Sequence, residues 1–311
     1  MVIKNPGIHL QLSQHQSPDG LKYQCLTIEL THKDRLINPD ELEHLELPPG
    51  IDATGGVVIS GRGPIWLYSY LARELHPTAW IACNDPRLGG AVVVGAYSDV
   101  VKVGQIIQLE TPPTHALCPA LMVVGPPDSG KSVFSHALFQ SLLRENPDIY
   151  LQRANWDGEG NYVLALESHA EREGYKRANK GGLTPDFFPY HGQAILQLRR
   201  QKKLVIVDVG GMVQPEKQPV LEACSHYLII SSQPDAVQSW HEFCRDRGNL
   251  TPVAVIFSVL EDVETVERLD PYLEITCGPW VMGQTKAVPE VLLHRVRSLL
   301  EMPNSQSSLD S

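Results

Sequence analysis

Apolar residues follow two patterns along this chain, and each predicts a different kind of element. In the first fifty residues they alternate with polar ones, as in Ile8-His9-Leu10-Gln11-Leu12 and Leu26-Thr27-Ile28-Glu29-Leu30. A period of two gathers apolar side chains on one strand face, so both runs predict half-buried strands. Further on, the apolar runs are unbroken. Val57-Val58-Ile59-Ser60, Trp80-Ile81-Ala82-Cys83 and Ala91-Val92-Val93-Val94 predict short buried strands, as do residues 120–124, 149–151, 204–207, 227–230 and 253–257. Between them, Ile65, Leu67, Tyr68, Leu71, Ala72 and Leu75 carry helical spacing. That helix starts at Pro64, which suits a first turn, and stops at His76-Pro77. A second helix is predicted over 131–145.

Two proline-rich breaks punctuate the chain, Pro48-Pro49-Gly50 and Thr111-Pro112-Pro113-Thr114. The second divides it into a small N-terminal α/β domain over 1–110 and, after a linker at 111–118, a domain over 119–303. In the latter, strands alternate with helices, which predicts a mostly parallel sheet covered on both faces. The polar tail 304–311 is expected to be disordered. A length of 311 residues fits two domains.

Composition narrows the function classes. Net charge is −10, and neither half is basic: residues 1–110 carry 8 Lys+Arg against 12 Asp+Glu, and 111–311 carry 18 against 24. Binding to long nucleic acid needs a cationic surface, so none is expected. Small anions held by a few placed cations remain possible partners. The basic runs Lys176-Arg177 with Lys180, and Arg199-Arg200 with Lys202-Lys203, are expected as solvated faces. The six cysteines form no Cys-x-x-Cys pair and are expected as buried free thiols. There is no membrane-length apolar run and no signal-peptide core, so the expectation is a cytoplasmic protein.

The most specific motif is Gly125-Pro126-Pro127-Asp128-Ser129-Gly130-Lys131-Ser132, with a strand before it and a helix after. This spacing is that of the P-loop. Its glycines let backbone N–H groups turn inward around a polyphosphate, and the helix N-terminus adds positive potential. Lys131 is the point charge for the outer phosphates, and Ser132 is placed to ligate Mg²⁺. Asp208, at the end of an apolar run, is the second magnesium-directed carboxylate, and Gly211 follows where a backbone amide can approach the terminal phosphate. No guanine signature accompanies the loop, so ATP with Mg²⁺ is the expected ligand. Asp157-Gly158-Glu159-Gly160 is a polar cluster at a strand end, and residues 231–235 are a candidate border for the base. The charged segment with Glu171, Arg172 and Lys176 is a candidate lid or partner surface.

The N-terminal domain carries different chemistry. His76 closes a helix, and Asp85 and Arg87 share a loop. Loops on one edge of a small sheet can bring such groups together. Asp can hold a metal or act as base, His can bind a metal or move a proton, and Arg can grip a phosphate with two N–H groups. The set suits phosphodiester chemistry.

The wider pattern carries a resemblance. Gly61-Arg62-Gly63-Pro64-Ile65-Trp66-Leu67-Tyr68, His76-Pro77 and Asp85-Pro86-Arg87-Leu88-Gly89-Gly90-Ala91-Val92-Val93-Val94 closely resemble the Csx-three family. These are CRISPR-associated ring nucleases of type III systems. The resemblance covers roughly residues 1–108, and some members carry a C-terminal P-loop, AAA-like ATPase domain. It implies cleavage of cyclic oligoadenylate, chiefly cyclic tetra-adenylate, with Mn²⁺ as cofactor. It places active-site His, Asp and Arg on His76, Asp85 and Arg87, with His76 and Asp85 as metal ligands, and sets Ser60, Gly61 and Arg62 near the ligand phosphates. It also implies a homo-oligomer, dimer or tetramer, with ligand sandwiched between dimers and a composite active site. One departure stands out. Where some members place a further His after the valine strand, this chain has Gly95-Ala96-Tyr97, so a metal ligand would be missing. Two other readings stay open: a cyclic oligoadenylate sensor whose output is the ATPase, and a P-loop kinase with an N-terminal interaction module.

Overall fold

The structure, a computed structural model, describes residues 7–32, 36–109, 117–155, 184–284 and 286–301. The chain divides into two compact units, Met1–Pro113 and Thr114–Ser311. The expected linker falls largely outside the described residues, as does the expected tail. The same holds for Asp157-Gly158-Glu159-Gly160 and for the charged segment with Glu171, Arg172, Lys176, Arg177 and Lys180.

The N-terminal unit is built on a six-stranded sheet with strands in sequence order. β1 (Ile8–Gln16) and β2 (Lys22–Leu30) pair antiparallel. β2 then pairs in parallel with β3 (Gly56–Gly61), and β3 in parallel with β4 (Trp80–Asp85). β5 (Gly90–Ala96) and β6 (Ile106–Gln108) complete the sheet antiparallel. A parallel pair needs a crossover, and between β3 and β4 it is α1 (Ile65–Glu74). The sheet has a core on each face. Val57, Ile59, Ile28 and Ile81 pack with Leu67, Leu71 and Leu75 of the α1 segment. Val58, Ala82, Tyr23, Trp80, Val93 and Ile107 pack on the opposite side. Burial on both faces is why these strands read as unbroken apolar runs. The run at 91–94 departs from its expectation at one position, because Val94 is 47% exposed.

The C-terminal unit holds a seven-stranded sheet in the order β12-β13-β11-β10-β7-β9-β8. Six strands run parallel: β7 (Ala120–Val124), β8 (Ile149–Ala154), β9 (Leu204–Val209), β10 (His226–Ser231), β11 (Thr251–Ser258) and β13 (Leu273–Gly278). The edge strand β12 (Val263–Arg268) is antiparallel. α2 (Lys131–Leu143) covers one face, through Phe134, Leu138 and Leu142. The other face carries α3 (Phe187–Gln201), α4 (Gln218–Ala223) and α5 (Val237–His241), the last continuing as a π-helical turn to Arg247. α6 (Glu290–Glu301) joins α2 on the first face through Leu292 and Val296.

Cys118, Cys224, Cys244 and Cys277 are buried, and Cys25 and Cys83 are half-buried. Burial pushes the Cys118 and Cys224 thiols up to about 12, which leaves them inert. Arg199, expected on a solvated face, instead donates to the carbonyls of Cys118 and Ala223, each at 2.7 Å. Those carbonyls hold its guanidinium against the C-terminal unit. Among the described residues no helix is long and apolar enough to cross a membrane.

Candidate functional site

In the C-terminal unit, the segment from Gly125 to Gly130 turns the chain from β7 into α2. Gly125 (φ +144°), Asp128 (φ +58°) and Gly130 (φ +82°) have left-handed backbone. At Gly125 the need for glycine is also steric, since a Cβ would lie 1.9 Å from the Ile230 carbonyl oxygen. Lys131 is buried, and its Nζ donates to the Pro126 carbonyl at 2.6 Å. Ser232, just past β10, donates its N–H to Ser129 Oγ at 3.2 Å. The 231–235 segment, a candidate for the base, thus reaches the phosphate loop itself.

Asp208 is fully buried near the end of β9, opposite Val123 of β7 in the ladder. Its cross-strand neighbour on β8 is Arg153, whose Nη1 lies 3.9 Å from Asp208 Oδ2. Asn155 Nδ2 approaches the same oxygen at 3.5 Å. Beyond Asp208, Gly211 runs against the loop: a Cβ there would sit 2.6 Å from the Pro127 nitrogen. These parts enclose a cleft of about 500 Å³, lined by residues 127–133, Asn155, 209–212 and Lys217, and also by Ser258, Val259, Trp280 and Met282. Ser132 in the first turn of α2 and Asp208 near the end of the adjoining strand offer hard oxygen donors, the chemistry that magnesium takes. One turn along α2, burial and then the Arg153 charge push His136 below the ordinary imidazole range.

In the N-terminal unit, the end of β3 and the end of β4 lie on one edge of the sheet. Ser60, Gly61 and Arg62 come from the first, Asp85 and Arg87 from the second. Asn84 Nδ2 donates to Ser60 Oγ at 3.0 Å, and Tyr68 Oη donates to the Gly61 carbonyl at 2.7 Å. Burial pushes the Tyr68 phenol up, which keeps it a donor. Arg87 grips Asp85 with both arms, Nε to Oδ1 at 2.9 Å and Nη2 to Oδ2 at 2.6 Å, and adds its backbone N–H at 3.0 Å. Burial pushes the Asp85 carboxyl up, but the Arg87 hydrogen bonds and charge prevail and hold it below the usual carboxylate range.

His76 is elsewhere. It follows α1, which returns the chain to the edge where β4 begins, and its ring packs on Tyr97 with centroids 4.8 Å apart. Tyr97 follows Ala96, which pairs with Trp80 at the start of β4. From Trp80 to Asp85 the strand advances about 16 Å at the usual rise per residue. The expectation that His76, Asp85 and Arg87 meet on one sheet edge is therefore corrected: a parallel β-α-β step puts the helix end and the strand end on opposite edges. For the same reason His76 and Asp85 of one unit do not form a manganese site, and among the described residues no group of three or more His, Cys, Asp or Glu is placed to hold a metal. Sequence reasoning also missed the roles of Tyr68 and Asn84, which brace the Ser60–Gly61 turn, of Arg153 beside Asp208, and of Asn155 and Lys217 in the cleft. Tyr68 ends the Gly61–Tyr68 motif but its spacing gave it only a helical role, and the others stand in no motif; their partners are set by tertiary contacts.

Residues 30–108 match the family described as CRISPR-associated protein (Cas_csx3). An uncharacterized protein of Aquifex aeolicus (strain VF5) is 45% identical over 86 residues, 27% of this chain and 77% of that protein. Among solved structures, a protein of Borrelia burgdorferi B31 described as a plasmid partition protein, bound to AMPPNP, aligns with TM-score 0.40 and 12% identity, over 60% of this chain and 97% of that one. The septum site-determining protein MinD of Pyrococcus horikoshii OT3, with Mg-ADP, aligns with TM-score 0.35 and 11% identity, over 46% and 70%. The chain belongs, through its N-terminal unit, to the CRISPR-associated Csx-three (Cas_csx3) family, and it carries a P-loop NTPase unit on the same polypeptide.

Proposed function

We propose that the N-terminal unit opens cyclic oligoadenylate rings, chiefly cyclic tetra-adenylate, and so terminates type III CRISPR antiviral signalling, and that the C-terminal unit binds ATP with Mg²⁺. The observation that carries the first part is the separation of His76 from Asp85 and Arg87 on opposite edges of one sheet. A site needing all three is complete only where the Asp85 edge of one copy faces the His76 edge of another. Such a homo-oligomer presents Arg62 and Arg87 repeatedly to a ring of phosphates, which lets an acidic chain bind a compact anion.

The residue roles follow from their chemistry. Arg87, held in orientation by Asp85, offers its guanidinium to the phosphate. A ring phosphodiester opens when water or a ribose hydroxyl bonds to phosphorus as the P–O bond to the next ribose breaks, and His76 of the facing copy serves as the acid that gives the departing oxygen its proton. Ser60, Gly61 and Arg62 line the turn beside it. Incubation with cyclic tetra-adenylate, with and without Mn²⁺, should yield linear products, and His76→Ala and Asp85→Ala should each abolish turnover. Unchanged cleavage in both variants would overturn the assignment.

A sensor reading has one observation in its favour: the Asp85 carboxylate is already engaged by Arg87 on both oxygens, an arrangement suited to holding a phosphate-binding arginine rather than to base catalysis. Its signature is ATP hydrolysis that rises on addition of cyclic tetra-adenylate while the ring stays intact.

A further inference from the structure

Among the described residues only two lysines are buried, Lys131 at 8% exposure and Lys217 at 1%. Both line the same cleft. An ammonium taken out of water costs several kcal/mol unless its protons are satisfied. Each of these is satisfied in the same way, by backbone carbonyls of a loop flanking the cleft. Lys131 donates to Pro126, and Lys217 donates to Gly210 at 2.6 Å and to Met212. Lys217 also lies over the Trp240 ring, 5.9 Å from its centroid. The P-loop motif explains the burial of Lys131. No motif explains Lys217.

The carbonyls that Lys217 holds flank Gly211, and Gly211 is wedged against Pro126 and Pro127 of the P-loop. That segment begins two residues after Asp208, the magnesium-directed carboxylate. A polyphosphate held by the P-loop would bring its end farthest from the nucleoside toward this segment of the cleft. We propose that Lys217 is a second phosphate-binding lysine, specific for the terminal phosphate of a nucleoside triphosphate. Its release from Gly210 and Met212 when that phosphate is present loosens the loop leading into α4. This rests on the reading that the C-terminal unit binds ATP. It adds a triphosphate-sensing contact to it.

The test compares the affinities of AMPPNP and ADP, each with Mg²⁺, by calorimetry on the full chain. Lys217→Met keeps the buried volume and removes the charge, an exchange that buried sites tolerate. It should weaken AMPPNP binding about tenfold or more while ADP affinity stays within about twofold, and Lys217→Arg should restore part of the difference. Lys131→Met should weaken both nucleotides. If Lys217→Met weakens both equally or neither, Lys217 is a structural clamp and the inference falls while the ATP reading stands. If the unaltered chain binds neither nucleotide, both fall. A second measurement needs no variant: hydrogen exchange across 209–223 should change with AMPPNP and not with ADP. An equal response to both overturns the proposal.

Discussion

The Asp85–Arg87 pair shows how much one contact is asked to do. Two side-chain bonds and a backbone bond close a turn of three residues and fix the direction of the guanidinium. The pair is partly exposed, with side-chain exposures of 22% for Asp85 and 41% for Arg87, so solvent screens it. Arg87→Ala should therefore cost only about 0.5–1 kcal/mol of N-terminal unit stability. Its pH signature is more telling. The folded carboxyl titrates below its unfolded value, so the contribution is present above about pH 3.9 and disappears as pH falls through the lower folded value. Arg87→Ala should therefore be the less stable by that full amount at neutral pH, and the two chains should converge as pH falls through the folded carboxyl value. Equal stabilities at neutral pH, or a difference that stays constant into acid, would show that the pair does not form in solution. Asp85 and Arg87 were legible in the sequence because they are neighbours in one turn. Tyr68 and Asn84 were not, because their partners Gly61 and Ser60 lie seven and twenty-four residues away and are set by the α1 packing and the β3–β4 register.

At the scale of elements, backbone conformation and close approach can be separated with two glycines of the same unit. Gly104 has φ +85° and open space where a Cβ would point, whereas Gly61 has φ +116° and the Ile28 carbonyl 2.3 Å from that point. Gly104→Ala should cost about 1–2 kcal/mol, the price of a left-handed non-glycine residue. Gly61→Ala must also push β2 and β3 apart and should cost at least about 3 kcal/mol. Denaturant midpoints for the N-terminal unit read both, and equal losses would mean that β2 gives way freely at Ile28. The parallel strands were legible for the same reason that they are stable. With helices on both faces of the C-terminal sheet, β7, β9 and β10 read as unbroken apolar runs. β12 gave no such signal, because it is an edge strand with most side chains exposed. α3 and α6 were missed although each buries a stripe, Phe188, Ile195 and Leu198 in one and Leu292, Val296 and Leu299 in the other. Their exposed faces dilute the apolar pattern with long polar side chains.

For the whole molecule, the two units should respond to pH at different points. In the C-terminal unit His136, His226 and His241 are all pushed below 6.5 by burial first, with a nearby arginine adding to it in each case. Such histidines are neutral when folded and take up protons on unfolding, so stability is full above the unfolded value and is lost as pH falls below about 6.5. Unfolding midpoints of the C-terminal unit should drop between about pH 7.5 and 5.5. A midpoint that does not fall over that range would contradict the burial of these histidines. A last prediction concerns assembly. A parallel β-α-β step has one geometric consequence that no motif announces: the residue ending the helix and the residue ending the second strand cannot share an edge. If catalysis needs both, copies must supply them to each other, and two inactive variants should then rescue one another. Mixed one to one, His76→Ala and Asp85→Ala chains exchange at random, and an interface joining an intact His76 to an intact Asp85 forms in about a quarter of cases for a head-to-tail contact. The mixture should regain cleavage of cyclic tetra-adenylate toward that fraction of the unaltered rate, with each variant alone inactive. A mixture as inactive as its components would mean that each chain must bring its own His76 and Asp85 together, and hence that the sheet opens or rearranges before it can act.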